Sequence, residues 1–350
     1  MTAARKPPER GAKPAPRPRR EAPVAARVLR FADIRGQERA IAFLRRGWKS
    51  GRLAHALLFA GPTGVGKLAT ARALALGLHC DVAPFEACAT CDACRTIAAG
   101  THPDVHVISG PAEDRRDISI EQVRELQREL GFRSMSAHPK IGIVNDADRL
   151  TLQAQNALLK TLEEPGGHTV LILVAVNAAA LAPTILSRCQ RVSFDPLPVD
   201  DVVAILEAHG RPAAEARALA AFAEGSAGQA LVLDEDFFAR SRPDILRRLA
   251  EARRGGFKAV ADLAQALSTE HKDLGPVLGV IASWYRDLLR RGVLGGDTDL
   301  QNADLTAQMP TPSAAAALRN LEITYGTMTA LRQNANRNLT LIRMLLELGT

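Results

Sequence analysis

Short unbroken apolar runs punctuate the first half of the chain, at residues 55–60, 105–108, 141–144 and 170–174, with a weaker fifth at 192–194. Runs of this length without polar alternation predict strands buried on both faces, the signature of a parallel sheet. Between them the apolar spacing turns helical, first over 38–49. Ser119 and Gln122 form a capping box, with Ile118 and Val123 as its hydrophobic staple, opening a helix that runs to about Leu130. A further helix is predicted over 151–164, with Leu152, Leu158, Leu159 and Leu162 on one face, stopped by Pro165-Gly166-Gly167. Strands alternating with helices predict an α/β domain.

Beyond Pro196 no comparable strand run recurs. Residues 200–233 read as a small helical unit and 237–350 as a larger all-helical domain, with a loop over 292–313. In the last segment, Leu341, Leu345 and Leu348, flanked by Ile342 and Met344, make a stripe suited to a core or to a subunit interface, with core the default. The expected boundaries are a tail over 1–26, the α/β domain over 27–195, a helical lid over 196–236 and a helical collar over 237–350.

Charge changes the picture only at one end. The net charge is +7, and residues 1–30 carry all of it: nine basic side chains, from Arg5 to Arg30, against Glu9 and Glu21. This Pro-rich stretch lacks the apolar content to fold alone. It is either a loose electrostatic arm for nucleic acid or a solvated extension. The other 320 residues are formally neutral, so no strongly basic folded surface is implied. No secretory apolar segment and no run approaching the ~18 residues of a membrane span is present, which predicts a cytoplasmic protein.

Chemistry enters with Gly61-Pro62-Thr63-Gly64-Val65-Gly66-Lys67, which follows a predicted strand and precedes a predicted helix. That is the context of a phosphate-binding loop, whose backbone N–H groups and lysine cradle a polyphosphate. Gly61, Thr63, Gly64, Gly66 and Lys67 are therefore candidate nucleotide-binding residues. The next position requires a Ser or Thr hydroxyl for Mg²⁺ but holds Leu68. Thr70 is no substitute, because two residues of helix turn it about 200° away. The run 141–144 is followed by Asn145 and Asp146, where hydrolysis needs one carboxylate for the metal and another to orient water. Shifting the register by one residue gives Asp146 the metal role but puts Ala147 at the catalytic acid. The pocket is thus expected to hydrolyse ATP poorly, and whether it binds ATP is left open.

Cys80, Cys88, Cys91 and Cys94 supply four thiols within 15 residues, the last three on two successive x2 spacings typical of tetrahedral Zn²⁺ sites with Zn–S about 2.3 Å. The cluster interrupts the strand–helix alternation as an inserted module. Four thiolates leave no open position, so the expected ion is structural Zn²⁺. An odd total of five cysteines argues against a disulfide framework. Cys189 reads as a small packing residue, and His102 and His168, both near turns, as structural.

Several segments, in order, resemble the bacterial clamp-loader AAA+ family of DNA polymerase III. These are Phe31 to Gln37, the Gly61–Lys67 loop, the four-cysteine insert, His102-Pro103-Asp104-Val105, the stretch from Asn156 to Pro165 and that from Thr184 to Cys189. The resemblance covers residues 27 to about 235 and extends more loosely over the collar. It implies an AAA+ α/β domain with a zinc insert, a helical lid and a helical oligomerisation domain. Within the family, Leu68 and Asn145 favour the ATPase-deficient stator over the gamma/tau motor. So do the two sensor positions, which fall on Val176 and Gly228. The long extension of tau is also expected to be missing. The resemblance further implies that Arg188 acts as an arginine finger on a neighbour's ATP. It implies partnership with the gamma/tau motor subunits and the delta subunit, with the sliding clamp, and through the assembly with primed-template DNA. Such a chain is not an enzyme by itself. The rival readings are an active motor of the same fold and a zinc-dependent nucleic-acid-binding protein using the basic tail.

Overall fold

The computed structural model describes residues 29–110, 117–134, 136–233, 240–271, 274–296, 300–302, 305, 313–332 and 335–348. The tail expected over 1–26 and the boundary expected near 236 lie outside the described residues.

The first half alternates helices α1 (Glu38–Lys49), α2 (Lys67–His79), α3 (Asp92–Ala98), α4 (Ile120–Gly131), α5 (Leu152–Glu163) and α6 (Pro183–Leu186) with five strands. The strands are β1 (Ala56–Ala60), β2 (Val105–Ile108), β3 (Lys140–Val144), β4 (Thr169–Ala175) and β5 (Gln190–Ser193). They form one parallel sheet in the order β2-β3-β4-β1-β5. The apolar runs are continuous because both faces are covered. Leu57 and Phe59 enter the core beneath α1 and α2, while Leu58 and Ala60 enter the core beneath α4 and α5. The fifth run is weaker because β5 is an edge strand, with only Val192 buried and Gln190, Arg191 and Ser193 exposed.

At α4 the Gln122 side chain accepts the Ser119 amide at 3.0 Å, and the staple residues Ile118 and Val123 are fully buried. In α5, Thr151 caps Ala154 and the buried face holds Leu158 and Leu162. Leu152 does not belong to that face. As the first residue of the helix it projects outward, 71% exposed.

The second half is helical among the described residues. Helices α7 (Val199–Ala208), α8 (Ala213–Phe222) and α9 (Ala227–Val232) enclose a small core around Leu206, Leu219 and Ala230. Helices α10 (Arg242–Arg254), α11 (Gly256–Glu270), α12 (Gly275–Leu294), α13 (Ala314–Arg332) and α14 (Arg337–Glu347) enclose a larger one, which includes Val277, Ile281, Tyr285, Leu341, Met344 and Leu345. Phe222 packs against both cores. The stripe on α14 is therefore core. The loop expected from 292 starts later, since α12 continues to Leu294 and stops where Gly295 turns left-handed at φ +70°.

Candidate functional site: a nucleotide pocket, a thiol cluster and an outward arginine

The phosphate loop joins β1 to α2. Gly66 adopts φ +96° to start the helix, and Lys67 is its first residue. The loop is closed on its own lysine. The Lys67 ammonium donates to the Gly61 carbonyl at 2.7 Å and to the Pro62 carbonyl. Burial lowers the Lys67 pKa, while Asp148 and Asp146 oppose that shift.

The C-terminal ends of β3 and β4 face the same pocket. Asn145 donates to the Asp146 carboxylate at 3.0 Å, and Asp146 sits at φ +56°. Burial, and next the charge of Asp148, raise the Asp146 pKa. Asp148 accepts the Val176 amide at 3.1 Å, tying the two strand ends together. Val176 itself lines the pocket, whereas the Asn177 side chain caps the next turn by accepting the Ala179 amide at 3.1 Å. Leu68 lines the cavity, and Thr70 is fully buried, its hydroxyl bonded back to the Gly66 carbonyl at 2.9 Å.

The start of α9 touches this loop directly. Gly228 N–H donates to the Gly64 carbonyl at 2.9 Å, and the Ser226 hydroxyl donates to the Thr63 carbonyl at 2.8 Å. A Cβ on Gly228 would meet Gly64 Cα at 2.8 Å, and one on Gly64 would meet Ser226 Oγ at 2.2 Å. No side chain fits at either position in this arrangement. Gly64 also sits at φ +73°, a conformation that L residues occupy only at a cost. Gly64→Ala is therefore expected to destabilise the chain by about 2 kcal/mol, read from thermal or urea unfolding. A cavity of about 590 Å³ persists beside the loop, walled on one side by Ile34, Leu197, Ile205 and Leu231.

The four cysteines converge. Their sulfurs lie within 4.8 Å of one another, Cys80 and Cys94 buried, Cys88 and Cys91 partly so. Backbone amides point at the sulfurs: Ala83 and Cys88 donate to Cys80 Sγ at 3.3 and 3.2 Å, and Cys91 donates to Cys88 Sγ at 3.3 Å. The turns that aim them place Phe85, Ala87 and Ala89 at positive φ. Hydrogen bonds from the Thr90 side chain, then from the Thr90 and Cys91 amides, pull the Cys88 thiol down to about 5. Burial pushes Cys94 up to about 12. Four converging sulfurs with amide donors fit one tetrahedral thiolate-bound ion. Phe85 anchors the insert to the sheet domain by stacking on Phe31, ring centroids 4.6 Å apart.

Arg188 follows α6 on the surface. It pairs with Glu163, the last residue of α5, at 2.6 Å, and donates to the Thr184 carbonyl at 3.0 Å. Gln155 ties the same two segments by accepting the Ala182 amide at 2.8 Å. Cys189 is a packing residue whose thiol burial pushes up to about 11.

A family model described as DNA polymerase III, delta subunit, matches residues 36–198. The chain is 33% identical over 258 residues to DNA polymerase III subunit delta′ of Bacillus subtilis (strain 168), an alignment covering 72% of this chain and 77% of that protein. The chain belongs to the DNA polymerase III delta′ family. It is also 44% identical over 149 residues to subunit delta′ of Pseudomonas aeruginosa PAO1, covering 41% of this chain and 44% of that one. Subunit tau of Escherichia coli K12 is 34% identical over 245 residues, covering 68% of this chain and 37% of tau. Among solved structures, a DNA polymerase III gamma subunit-related protein of Thermotoga maritima is 18% identical, covering 89% of this chain and 98% of that one, with a TM-score of 0.36. This is a clamp-loader family of DNA polymerase III. Among the described residues no helix is long and apolar enough to cross a membrane.

Sequence reasoning missed two features of this delta′-family chain. Glu163 lies inside the quoted 156–165 motif, yet its pairing with Arg188 depends on how α5 and α6 pack. His79 carried no signal of its own. Only the fold brings it beside His102 and Asp104.

Proposed function

We propose that this chain is the ATPase-deficient stator of a DNA polymerase III clamp loader. It holds the motor subunits in register and lends Arg188 to a neighbour's ATP site while that assembly places a sliding clamp on primed DNA. The observation that carries the reading is the asymmetry between its pocket and its arginine. Leu68 and Asn145 occupy the metal-ligand positions, Val176 faces the cavity at the first sensor position, and Gly228 at the second is pressed against Gly64. An arginine at 228 would have to lift the lid off the loop. Arg188, by contrast, lies at the surface, where a planar guanidinium can reach another subunit's phosphates.

The cavity beside the loop has the volume for a nucleotide, but Lys67 is bonded to the loop's own carbonyls, so holding ATP would require that lysine to turn toward the phosphates. The isolated chain is expected to show no Mg²⁺-dependent ATP turnover above background, and Lys67→Ala to leave that background unchanged. Turnover by the isolated chain that Lys67→Ala abolishes would instead establish an active motor.

A further inference from the structure

We propose that His79, His102 and Asp104 form a second cation site, distinct from the four thiols, that binds a zinc-class divalent ion at the neck of the cysteine insert. His79 is the last residue of α2, and its side chain is 1% exposed. Its Nδ1–H donates to the Ala75 carbonyl at 3.1 Å, which fixes the tautomer and leaves a lone pair on Nε2. That nitrogen is buried and has no hydrogen-bond partner. Leaving a buried polar atom unpaired is unfavourable, so such an atom in a native interior calls for a ligand.

Potential ligand atoms of His79, His102 and Asp104 lie within 4.8 Å of one another. The His102 ring stands edge-on to His79, with centroids 4.7 Å apart. Its lone-pair nitrogen, Nδ1, accepts the Asp104 amide at 3.2 Å, a hydrogen bond that ligation would break and the ion must outweigh. Asp104 is fully buried, and its Oδ2 is oriented by the hydroxyls of Ser134 at 2.9 Å and Ser136 at 3.1 Å. Outer-shell donors of this kind fix a metal-binding carboxylate in place.

The donor set selects the ion. Two imidazoles and one carboxylate suit zinc and its neighbours, whereas Mg²⁺ and Ca²⁺ prefer oxygen ligands throughout. Lys140 sets the affinity. Its ammonium donates to the Glu129 carbonyl at 2.9 Å and stands 3.5 Å from Asp104, so it competes for the carboxylate charge. The site is therefore weaker than the thiol cluster and fills second. His79 precedes the first cysteine of the insert, and His102 follows the last by eight residues. An ion held between them would tie the two ends of the insert together where it leaves α2 and enters β2.

The test counts metal. Untagged full-length chain is dialysed against zinc-buffered solution and analysed for zinc, alongside His79→Leu and His102→Gln. The expected result is two equivalents in the wild type and one in each variant. Cobalt-substituted wild type should show one ion with thiolate charge-transfer absorption and one without it. One equivalent or none in the wild type, or two in the wild type and in both variants, would overturn the site. If a substitution unfolds the chain, as far-UV circular dichroism would reveal, the wild-type count and the cobalt spectrum decide alone.

Discussion

Cys94→Ser should release the Zn²⁺ that we propose the thiol cluster holds, and lower the stability of the chain by on the order of 3 to 5 kcal/mol. Two effects add. Cys94 is fully buried at the base of the cluster, so a serine hydroxyl there has neither the metal nor a soft sulfur environment to satisfy it. The remaining three thiolates hold zinc less tightly, and the turns at Phe85, Ala87 and Ala89 lose the tie that maintains their positive φ. The loss is expected to fall short of the ~10 to 16 kcal/mol typical of isolated zinc-finger peptides, because the parallel sheet has its own cores on both faces. Phe85 stacks on Phe31 and lies near Trp48, so damage to the insert should also reach the segment that precedes α1. Zinc release measured with a chelating dye, together with a lowered unfolding midpoint, checks this. A variant that keeps its zinc and its midpoint would contradict it.

Arg188→Ala should have the larger functional effect while leaving the fold almost unchanged. Within the chain the side chain contributes only a surface ion pair to Glu163 and a bond to the Thr184 carbonyl, and exposed pairs of this kind stabilise little. At a neighbour's ATP it would supply a guanidinium at the moment charge spreads over the transferring phosphoryl group. Removing such a finger slows the site it serves by on the order of 10³-fold. Turnover of a whole assembly falls by less if its other sites still fire. Glu163→Gln is the complementary control. It releases the arginine without removing it, and assembly turnover should be preserved.

How much of this is legible in sequence depends on the distance over which each feature is specified. The strands are legible because each is a local apolar run buried on both faces, and the α4 cap because its residues lie within one turn. Leu152 misleads because it is apolar and, seven residues before the partly buried Leu159, shares that residue's helical phase, yet it stands at the first turn, where the neighbouring core does not reach. The thiol cluster is legible because its ligands are close in sequence and their spacing is itself the geometry. Gly228 can be located by resemblance as a sensor position lacking its arginine. That it rests on Gly64 depends on a contact across more than 160 residues, and no local pattern encodes it. The same holds for His79, His102 and Asp104, which are gathered by the end of α2 and the start of β2. The limit is therefore reach: sequence pattern gives elements and local ligand sets, and packing supplies the contacts between them.

The most direct test is clamp-stimulated ATP hydrolysis by a reconstituted loader containing either the wild-type chain or Arg188→Ala, with the isolated chain assayed beside them. A stator with a trans arginine gives a silent isolated chain and a many-fold loss of assembly turnover with Arg188→Ala, while assembly itself is intact by size-exclusion chromatography. Hydrolysis by the isolated chain, or an Arg188→Ala loader as fast as wild type, would contradict it.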